Sequence, residues 1–250
     1  MTSDSPLLSV LIPVYNERAT LSEILQRVKN VPLDKEIIIV DNVSTDGTRE
    51  DLHEVIARGE AGDEWSDAPV RVVFQTQNIG KGSSVRRALQ LARGHWVIVQ
   101  DADLEYDPRD YMRLLAAATR PKRPLDAVFG NRLGRGSLAR EKMPRTAFFY
   151  GRVGLSVFFR MLYGAPLSDV ATCYKWMRRD FALGLNLQSD GFDLDFEIAA
   201  KIARARKNGA RFGEISVSYA PRTELEGKKI RVVRDGVRAA WALVKFRFSS

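Results

Sequence analysis

Two aspartates behind an apolar run are the residues of this 250-residue chain best suited to chemistry. The run from Trp96 to Val99 has the length and β-branched content of a buried strand, and Asp101 and Asp103 follow it with one residue between them. Open α/β sheets bind ligands at the carboxyl ends of their strands. Two carboxylates placed there can hold Mg²⁺ or Mn²⁺ against a diphosphate. The D-x-D pattern also occurs in acidic turns, so both interpretations are open on these residues alone.

The elements that must position this pair are predicted from the spacing of apolar residues. Strand-like runs alternate with helical spacing over the first hundred residues, which predicts a parallel sheet with right-handed crossovers. The length suits one large α/β domain or two small ones. Strands are predicted at 9–14, 36–40, 70–74, 96–99, 127–130 and 212–217. Helices are predicted around 21–28, 52–56, 85–92, 108–118, 148–167, 179–187, 196–207 and 232–248.

Polar side chains follow three of the predicted parallel strands. Glu17 comes after the first strand, Asp41 after the second, and Asp101 with Asp103 after the fourth. Parallel neighbours present these ends at one edge of the sheet, so the carboxylates should converge there. Like charges gathered at one edge repel each other unless a cation or a ligand with donor groups lies among them. This convergence favours a site for a metal ion and a nucleotide.

Composition and charge narrow the class of protein. The chain is 45% hydrophobic and 28% charged, as in globular proteins, and its single cysteine excludes an internal disulfide framework. Residues 1–131 hold 16 Lys and Arg against 20 Asp and Glu, a net charge of −4, whereas residues 132–250 hold 23 against 11, a net charge of +12. The basic half suggests phosphate, nucleic acid or an anionic membrane as a partner, although a solvated basic surface explains it as well.

Two stretches of the basic half bear on membrane attachment. The stretch 148–167 is aromatic and apolar on most faces, but Arg152 and Arg160 interrupt it before it reaches the roughly 18 apolar residues of a spanning helix. The final helix, 232–248, mixes aromatic with basic residues. Each stretch either packs on the domain or lies on an anionic lipid surface. We expect a cytoplasmic protein, with attachment to the cytoplasmic face of the membrane left open and no indication of oligomeric state.

Eight blocks of sequence, in this order, resemble one known family. The chain is similar to family-2 glycosyltransferases of the dolichol-phosphate mannosyltransferase-like type, which act on polyprenyl phosphates. Each block is weak by itself, but eight in order with suitable spacings are specific. The blocks are residues 9–17, 37–48, 78–82, 101–108, 130–132, 168–175, 191–198 and 219–230.

The resemblance implies a GT-A fold, a Rossmann-like and mostly parallel sheet flanked by helices in a single domain with a C-terminal helical extension. It also implies a nucleotide-sugar donor, Mg²⁺ or Mn²⁺ as cofactor, and inversion at the anomeric carbon. The family's usual Asp-Gly-Ser is replaced here by Asp41-Asn42-Val43-Ser44, which leaves uridine and guanosine both open. The implied donor-binding residues are Pro13, Tyr15, Glu17, Asp41, Lys81, Asp101, Ala102, Arg222 and Lys228. The implied metal ligands are Asp101, Asp103 and Glu105, and the implied acceptor-phosphate residues are Arg132 and Arg145.

The type of acceptor decides which catalytic groups are needed. A phosphate acceptor is already an anionic nucleophile, so it needs arginines for positioning rather than a strong base. An alcohol acceptor needs a carboxylate base, and Asp169, Asp195 and Glu197 are the candidates. The last two also suit the acidic first turn of a helix.

The sequence therefore predicts a metal-dependent inverting glycosyltransferase with Asp103 at its centre. It would move a hexose from a UDP-glucose or GDP-mannose type of donor to a polyprenyl or dolichyl phosphate. Residues 1–131 would form the nucleotide-sugar half and residues 132–250 the acceptor half of one compact domain. The alternatives are transfer to a soluble hydroxyl acceptor and, in another class, a nucleotidyltransferase. A nucleic-acid binder is disfavoured because phosphate backbones avoid a carboxylate edge.

Overall fold

Seven strands and eight α-helices make up the part of the chain that the computed structural model describes, which is residues 5–60, 68–133, 146–222 and 232–248. The strands are β1 (Leu8–Val14), β2 (Lys35–Asp41), β3 (Val70–Phe74), β4 (Trp96–Val99), β5 (Ala127–Asn131), β6 (Lys175–Arg178) and β7 (Phe212–Ser216). The helices are α1 (Arg18–Lys29), α2 (Thr48–Glu60), α3 (Lys81–Leu91), α4 (Tyr111–Ala118), α5 (Ala147–Tyr163), α6 (Arg179–Gly184), α7 (Leu194–Ala205) and α8 (Val232–Phe248). Short 3₁₀ turns occupy Pro108–Asp110 and Arg206–Asn208.

All seven strands share one sheet, in the order β3-β2-β1-β4-β6-β5-β7. The four strands β3, β2, β1 and β4 are parallel, as their alternation with helices predicted. Every residue of β2 is buried, which is typical of a parallel strand covered on both faces. Strands from residues 1–131 and strands from residues 132–250 join this one sheet. The described chain therefore forms a single domain with a mostly parallel sheet, as predicted.

The strand β6 is the element that the sequence did not predict. It pairs antiparallel with β4 on one side and with β5 on the other. Its four residues begin with Lys175 and end with Arg178, so neither an apolar run nor an alternation marks it. Lys175 is nevertheless fully buried, because its ammonium group donates to the Asp195 carboxylate at 2.7 Å. A contact between distant residues therefore makes this strand possible.

The start of α3 lies against the loop that precedes α7, and this contact positions Lys81. The backbone N–H groups of Gly82 and Ser83 both donate to the carbonyl of Asp190, over 2.7 and 3.2 Å. A Cβ atom added at Gly82 would lie 2.3 Å from the carbonyl oxygen of Ser189. Only glycine permits this close approach between the two backbone segments.

We predict that Gly82→Ala lowers the free energy of unfolding by about 1–3 kcal/mol, because the new methyl group collides with backbone that cannot move freely. Gly184→Ala is the matched control, since a Cβ atom there meets nothing within 4 Å. That substitution in an exposed helical position should be neutral or slightly stabilising. Urea denaturation of both variants measures the difference, and equal midpoints would contradict the close-packing argument.

Candidate active site

A cavity of about 470 Å³ opens at the carboxyl ends of β1 and β4, where the polar strand ends were expected to meet. Segments that follow β5 and β7, together with α3, α5, α7 and α8, supply other walls. The cavity therefore joins the first half of the chain to the second. Of the residues predicted from the sequence, those that line it are Pro13, Tyr15, Glu17, Lys81, Asp101, Ala102, Asp103, Glu105, Arg132, Asp195 and Arg222.

One described donor-binding candidate, Asp41, is absent from the lining of the cavity. Asp41 is fully buried beside the cavity, where its carboxylate accepts from the backbone N–H of Ser44 at 3.1 Å and pairs with Arg49 at 3.1 Å. The next residue, Asn42, lines the cavity in its place. Arg145 and Lys228 lie outside the described residues.

Lys81 is a cation held between two carboxylates of the cavity wall. Its ammonium nitrogen is 2.7 and 2.9 Å from the two oxygens of Asp101, and 3.6 Å from an oxygen of Asp195. Burial alone would lower the pKa of Lys81, but the charges of Asp101 and Asp195 hold it well above its usual value. Lys175 pairs with Asp195 from the other side, so four charges, two of them buried and two partly buried, alternate in sign from Asp101 to Lys175.

Asp103 is the carboxylate of this wall whose charge is least balanced. Burial, followed by the negative charges of Asp101 and Glu105, raises the pKa of Asp103 to about 7. A divalent cation beside its oxygens would relieve this excess of negative charge, and carboxylate oxygens are ligands that Mg²⁺ and Mn²⁺ accept. The carboxylate of Asp103 therefore fits such an ion as one of its ligands.

The three-carboxylate ligand set expected from the resemblance is not assembled. One oxygen of Glu105 accepts from the hydroxyl of Tyr219 at 2.7 Å and the other from the backbone N–H of Arg222 at 2.8 Å, which directs this side chain to the segment after β7. Within the described ranges, no three His, Cys, Asp or Glu side chains are grouped so that they could hold a metal ion. Asp101 is likewise committed to Lys81.

Arg132 is fixed towards the cavity by a buried ion pair with Asp169. The two oxygens of Asp169 accept from Nε and Nη2 of Arg132, each over 2.7 Å, and Asp169 is fully buried. Burial would raise the pKa of Asp169, but the Arg132 guanidinium holds it below its usual value. Asp169 was considered as a catalytic base, and its geometry instead makes it the residue that orients Arg132.

The other two candidate bases are also engaged in ion pairs. Glu197 accepts from the backbone N–H groups of Gln188 and Ser189 over 2.8 and 2.7 Å and pairs with Lys201, so it holds the loop before α7 rather than facing the cavity. Asp195 does line the cavity, but the charges of Lys175 and Lys81 outweigh its burial and lower its pKa. Both lie in the first turn of α7, as their helix-start interpretation predicted.

Two large polar side chains are among the cavity residues that were not predicted from the sequence. Arg152 of α5 and Tyr219 both line the cavity, and the guanidinium groups of Arg152 and Arg132 lie 5.6 and 5.1 Å from the centre of the Tyr219 ring. Burial and then the positive charge of Arg132 lower the pKa of Arg152, so an anion between the two groups would be favoured. The available signal for Arg152 was its position inside an otherwise apolar helix.

Comparison with known proteins decides the family. Residues 9–183 match the family described as glycosyl transferase family 2. The chain belongs to this family. It is accordingly a glycosyltransferase of the inverting kind, as the eight sequence blocks implied.

Two curated relatives carry names that describe lipid-phosphate enzymes. The glycosyltransferase is 27% identical over 247 residues to the dolichol-phosphate mannosyltransferase of Pyrococcus furiosus, covering 95% of this chain and 64% of that protein. It is also 27% identical over 258 residues to the undecaprenyl-phosphate mannosyltransferase of Micrococcus luteus, covering 95% of this chain and 97% of that protein.

The fold also matches solved structures. One is the glucosyl-3-phosphoglycerate synthase of Mycobacterium tuberculosis in complex with Mn²⁺, uridine diphosphate and phosphoglyceric acid. The two structures match with a TM-score of 0.66 and 18% sequence identity, over 98% of this chain and 80% of the synthase chain. This likeness confirms the GT-A fold class of the glycosyltransferase. Among the helices in the described ranges, none has the length and apolar character required to cross a bilayer.

We predict that Asp169→Asn lowers the free energy of unfolding of the glycosyltransferase by about 3–5 kcal/mol, because it leaves the buried Arg132 guanidinium without its counter-charge. The exposed pair between Asp180 and Arg178 provides the control, since Asp180→Asn should change stability little.

The pH dependence of this loss has a defined sign. Because the pKa of Asp169 is lowered in the folded protein, the ion pair stabilises it above the ordinary aspartate pKa of about 4 and ceases to do so as the pH falls through the lowered value. The difference between wild type and Asp169→Asn should therefore be constant near neutral pH and shrink in acid. Urea denaturation across pH measures it, and a difference that grows on acidification would contradict the assignment.

Proposed function

We propose that this glycosyltransferase moves a hexose from a UDP-sugar or GDP-sugar to a polyprenyl or dolichyl phosphate, with Mg²⁺ or Mn²⁺ as cofactor. The proposal rests on the cavity at the carboxyl ends of β1 and β4, which both sides of the site share. Its donor side presents Asp103 and Glu17, and its other side presents Arg132 and Arg152. One space thus offers a place for a metal-bound diphosphate and, next to it, a place for a second anion.

The positive charge on the side of the cavity that presents Arg132 and Arg152 favours a phosphate acceptor over an alcohol. An alcohol must lose its proton to a base during transfer, and a base works best when its pKa lies near the operating pH. The pKa values of Asp169 and Asp195 are instead lowered, and Glu197 does not face the cavity. A phosphate ester needs no such base, because it is already ionised, and two guanidinium groups suit its recognition.

The donor side is proposed to bind the nucleotide diphosphate through cations of the chain together with the metal ion. A divalent ion held by Asp103 would neutralise charge on the diphosphate as it leaves. Lys81 supplies a fixed positive charge in the same wall. Arg222 donates to the backbone carbonyl of Asp103 at 2.7 Å and to the carboxylate of Glu17 at 2.8 Å, so its guanidinium closes this side of the cavity.

Uridine and guanosine both remain candidates for the donor base. The structural neighbour from Mycobacterium tuberculosis was solved with uridine diphosphate and Mn²⁺, whereas mannosyltransferases are among the curated relatives. We propose that residues 1–131 contribute the donor side and residues 132–250 the acceptor side. The lining supports this division only in part, because Asp195 and Arg222 of the second half lie on the donor side and Tyr106 of the first half lies against Arg132.

The surface formed by α5 and α8 supports a lipid acceptor. The two helices pack together through Tyr163, whose hydroxyl donates to the carbonyl of Leu243 at 2.7 Å, and the cavity extends to Gly151 of α5 and Gly236 of α8. Exposed apolar side chains recur along one face of each helix, at a spacing of four or seven residues. They are Tyr150, Val157 and Met161 on α5, and Val237, Trp241 and Phe248 on α8.

We propose that this α5–α8 surface lies on the anionic cytoplasmic face of a membrane, from which the prenyl chain reaches the cavity. Arg160 and Lys245 are exposed on the same two helices and would face lipid phosphates. Peripheral contact of this kind needs no spanning helix.

Transfer of radiolabelled sugar from UDP-glucose or GDP-mannose to a short polyprenyl phosphate, with Mn²⁺ present, tests the reaction. We predict product formation by the wild type and a loss of about 100-fold or more in Asp103→Ala, because the charge that balances the leaving diphosphate is removed. Asp180→Ala is the control, since Asp180 is exposed and outside the cavity. Circular dichroism checks that both variants fold.

Two other products would contradict the proposal. Transfer to a soluble alcohol alone would favour the hydroxyl-acceptor alternative, and release of pyrophosphate from a nucleoside triphosphate and a sugar phosphate would favour a nucleotidyltransferase. Full activity of Asp103→Ala would refute the role of the D-x-D motif.

Membrane attachment has a separate test in co-sedimentation with phosphatidylglycerol vesicles. We predict that Trp241→Glu weakens binding about tenfold or more, because a large exposed apolar side chain that would enter the lipid is replaced by a charge. Met112→Glu is the control, since Met112 is exposed on α4, away from the proposed surface. Equal losses in both variants, or no binding by the wild type, would rule out the α5–α8 surface as the attachment site.

A further inference from the structure

We infer that Tyr219 is a positioning residue that links the two sides of the cavity, its hydroxyl holding Glu105 on the donor side and its ring supporting Arg132 and Arg152 on the acceptor side. The acceptor part of this inference rests on the proposed function. The donor part does not, because it concerns only how the carboxylates beside Asp103 are arranged.

The hydroxyl group controls where the Glu105 carboxylate points. It donates to one oxygen of Glu105 at 2.7 Å, while the backbone N–H of Arg222 donates to the other at 2.8 Å. The backbone N–H of Ala220 also donates to the backbone carbonyl of Glu105 at 2.8 Å. Three bonds thus fasten the segment 219–222 to Glu105. As a result, Glu105 is bound to this segment and Asp103 is left as the carboxylate available to a cation.

The same bonds place the Arg222 side chain. With its backbone N–H held by Glu105, Arg222 extends to the carbonyl of Asp103 and to the carboxylate of Glu17. Tyr219 is the side chain that joins this arrangement to the rest of the cavity wall, because its ring also packs edge-on against Tyr106, with 5.2 Å between the ring centres.

The ring holds the two arginines of the acceptor side together. Their guanidinium groups lie 5.1 and 5.6 Å from its centre, within the range of a cation–π contact. Two neighbouring cations repel each other, and after burial the positive charge of Arg132 is the next cause of the lowered pKa of Arg152. The electron-rich faces of an aromatic ring attract both groups and so favour their staying together in front of an incoming anion.

The two functions are separable by substitution because they use different parts of one side chain. Tyr219→Phe removes the hydroxyl and keeps the ring, whereas Tyr219→Leu removes both. Tyr163→Phe is the matched control. It also removes a hydroxyl group, but Tyr163 does not line the cavity and its hydroxyl donates to the Leu243 carbonyl.

Calorimetric titration of the nucleotide-free protein with Mn²⁺ tests the hydroxyl. In Tyr219→Phe one oxygen of Glu105 is released to join Asp103 as a ligand, so Mn²⁺ affinity should rise severalfold, and it should not change in Tyr163→Phe. Unchanged or weaker Mn²⁺ binding in Tyr219→Phe would overturn the donor part. This readout uses no sugar and no acceptor, so it stands whichever acceptor the enzyme takes.

Steady-state transfer to polyprenyl phosphate tests the ring. Tyr219→Leu should raise the KM for the lipid phosphate about tenfold, from the loss of two cation–π contacts, while kcat at saturating acceptor changes by less than about threefold. Tyr219→Phe should retain the wild-type KM for the acceptor. A fall in kcat with unchanged KM, or equal KM values in the two variants, would overturn the acceptor part. A wild type that transfers nothing to polyprenyl phosphate would instead refute the proposed function.

Discussion

The balance of buried charge at the carboxyl edge of the sheet determines how the rest of the site is arranged. Parallel strands bring Asp101 and Asp103 to this edge, and carboxylates confined there must be neutralised or protonated. Lys81 neutralises Asp101 and contributes to Asp195, and the contact between the start of α3 and the loop before α7 holds Lys81 in this position. Arg222 lies beside Asp103, but its guanidinium donates to the backbone carbonyl of Asp103 and to the carboxylate of Glu17. Burial and the remaining excess of negative charge from Asp101 and Glu105 therefore raise the pKa of Asp103.

The other side of the cavity has the opposite imbalance. Asp169 neutralises Arg132 through a bidentate pair, but Arg152 brings a second guanidinium close to it. A cavity whose one wall favours a cation and whose opposite wall favours an anion suits a reaction between two anionic substrates. A bound metal ion would let the diphosphate approach the carboxylates, and the arginines would hold the acceptor next to it. In water, the negative charges of the two substrates would make them repel each other.

What could be predicted from the sequence depended on whether the signal was local. The strands β1 to β5 and β7 were predicted to within one residue at every boundary, because apolar runs mark buried strands. The D-x-D pair was correctly placed at a strand end. The strand β6 was missed because Lys175 owes its burial to Asp195, 20 residues away. The ion pair of Asp169 with Arg132 was not predicted because Arg132 lies 37 residues earlier in the chain.

Tyr219 shows why contacts between residues far apart in the chain are not predicted from the sequence. Glu105, which its hydroxyl holds, lies 114 residues earlier in the chain, and no spacing rule connects two segments so far apart. The resemblance placed Glu105 among the metal ligands because it follows the D-x-D motif, yet the fold brings a phenol and a backbone N–H to both of its oxygens. A cation stabilises a carboxylate that already accepts two hydrogen bonds less than it stabilises a carboxylate that lies beside other negative charges. The same electrostatic rule that leaves Asp103 suited to a metal ion thus argues against Glu105, and the difference between them arises from the segment after β7.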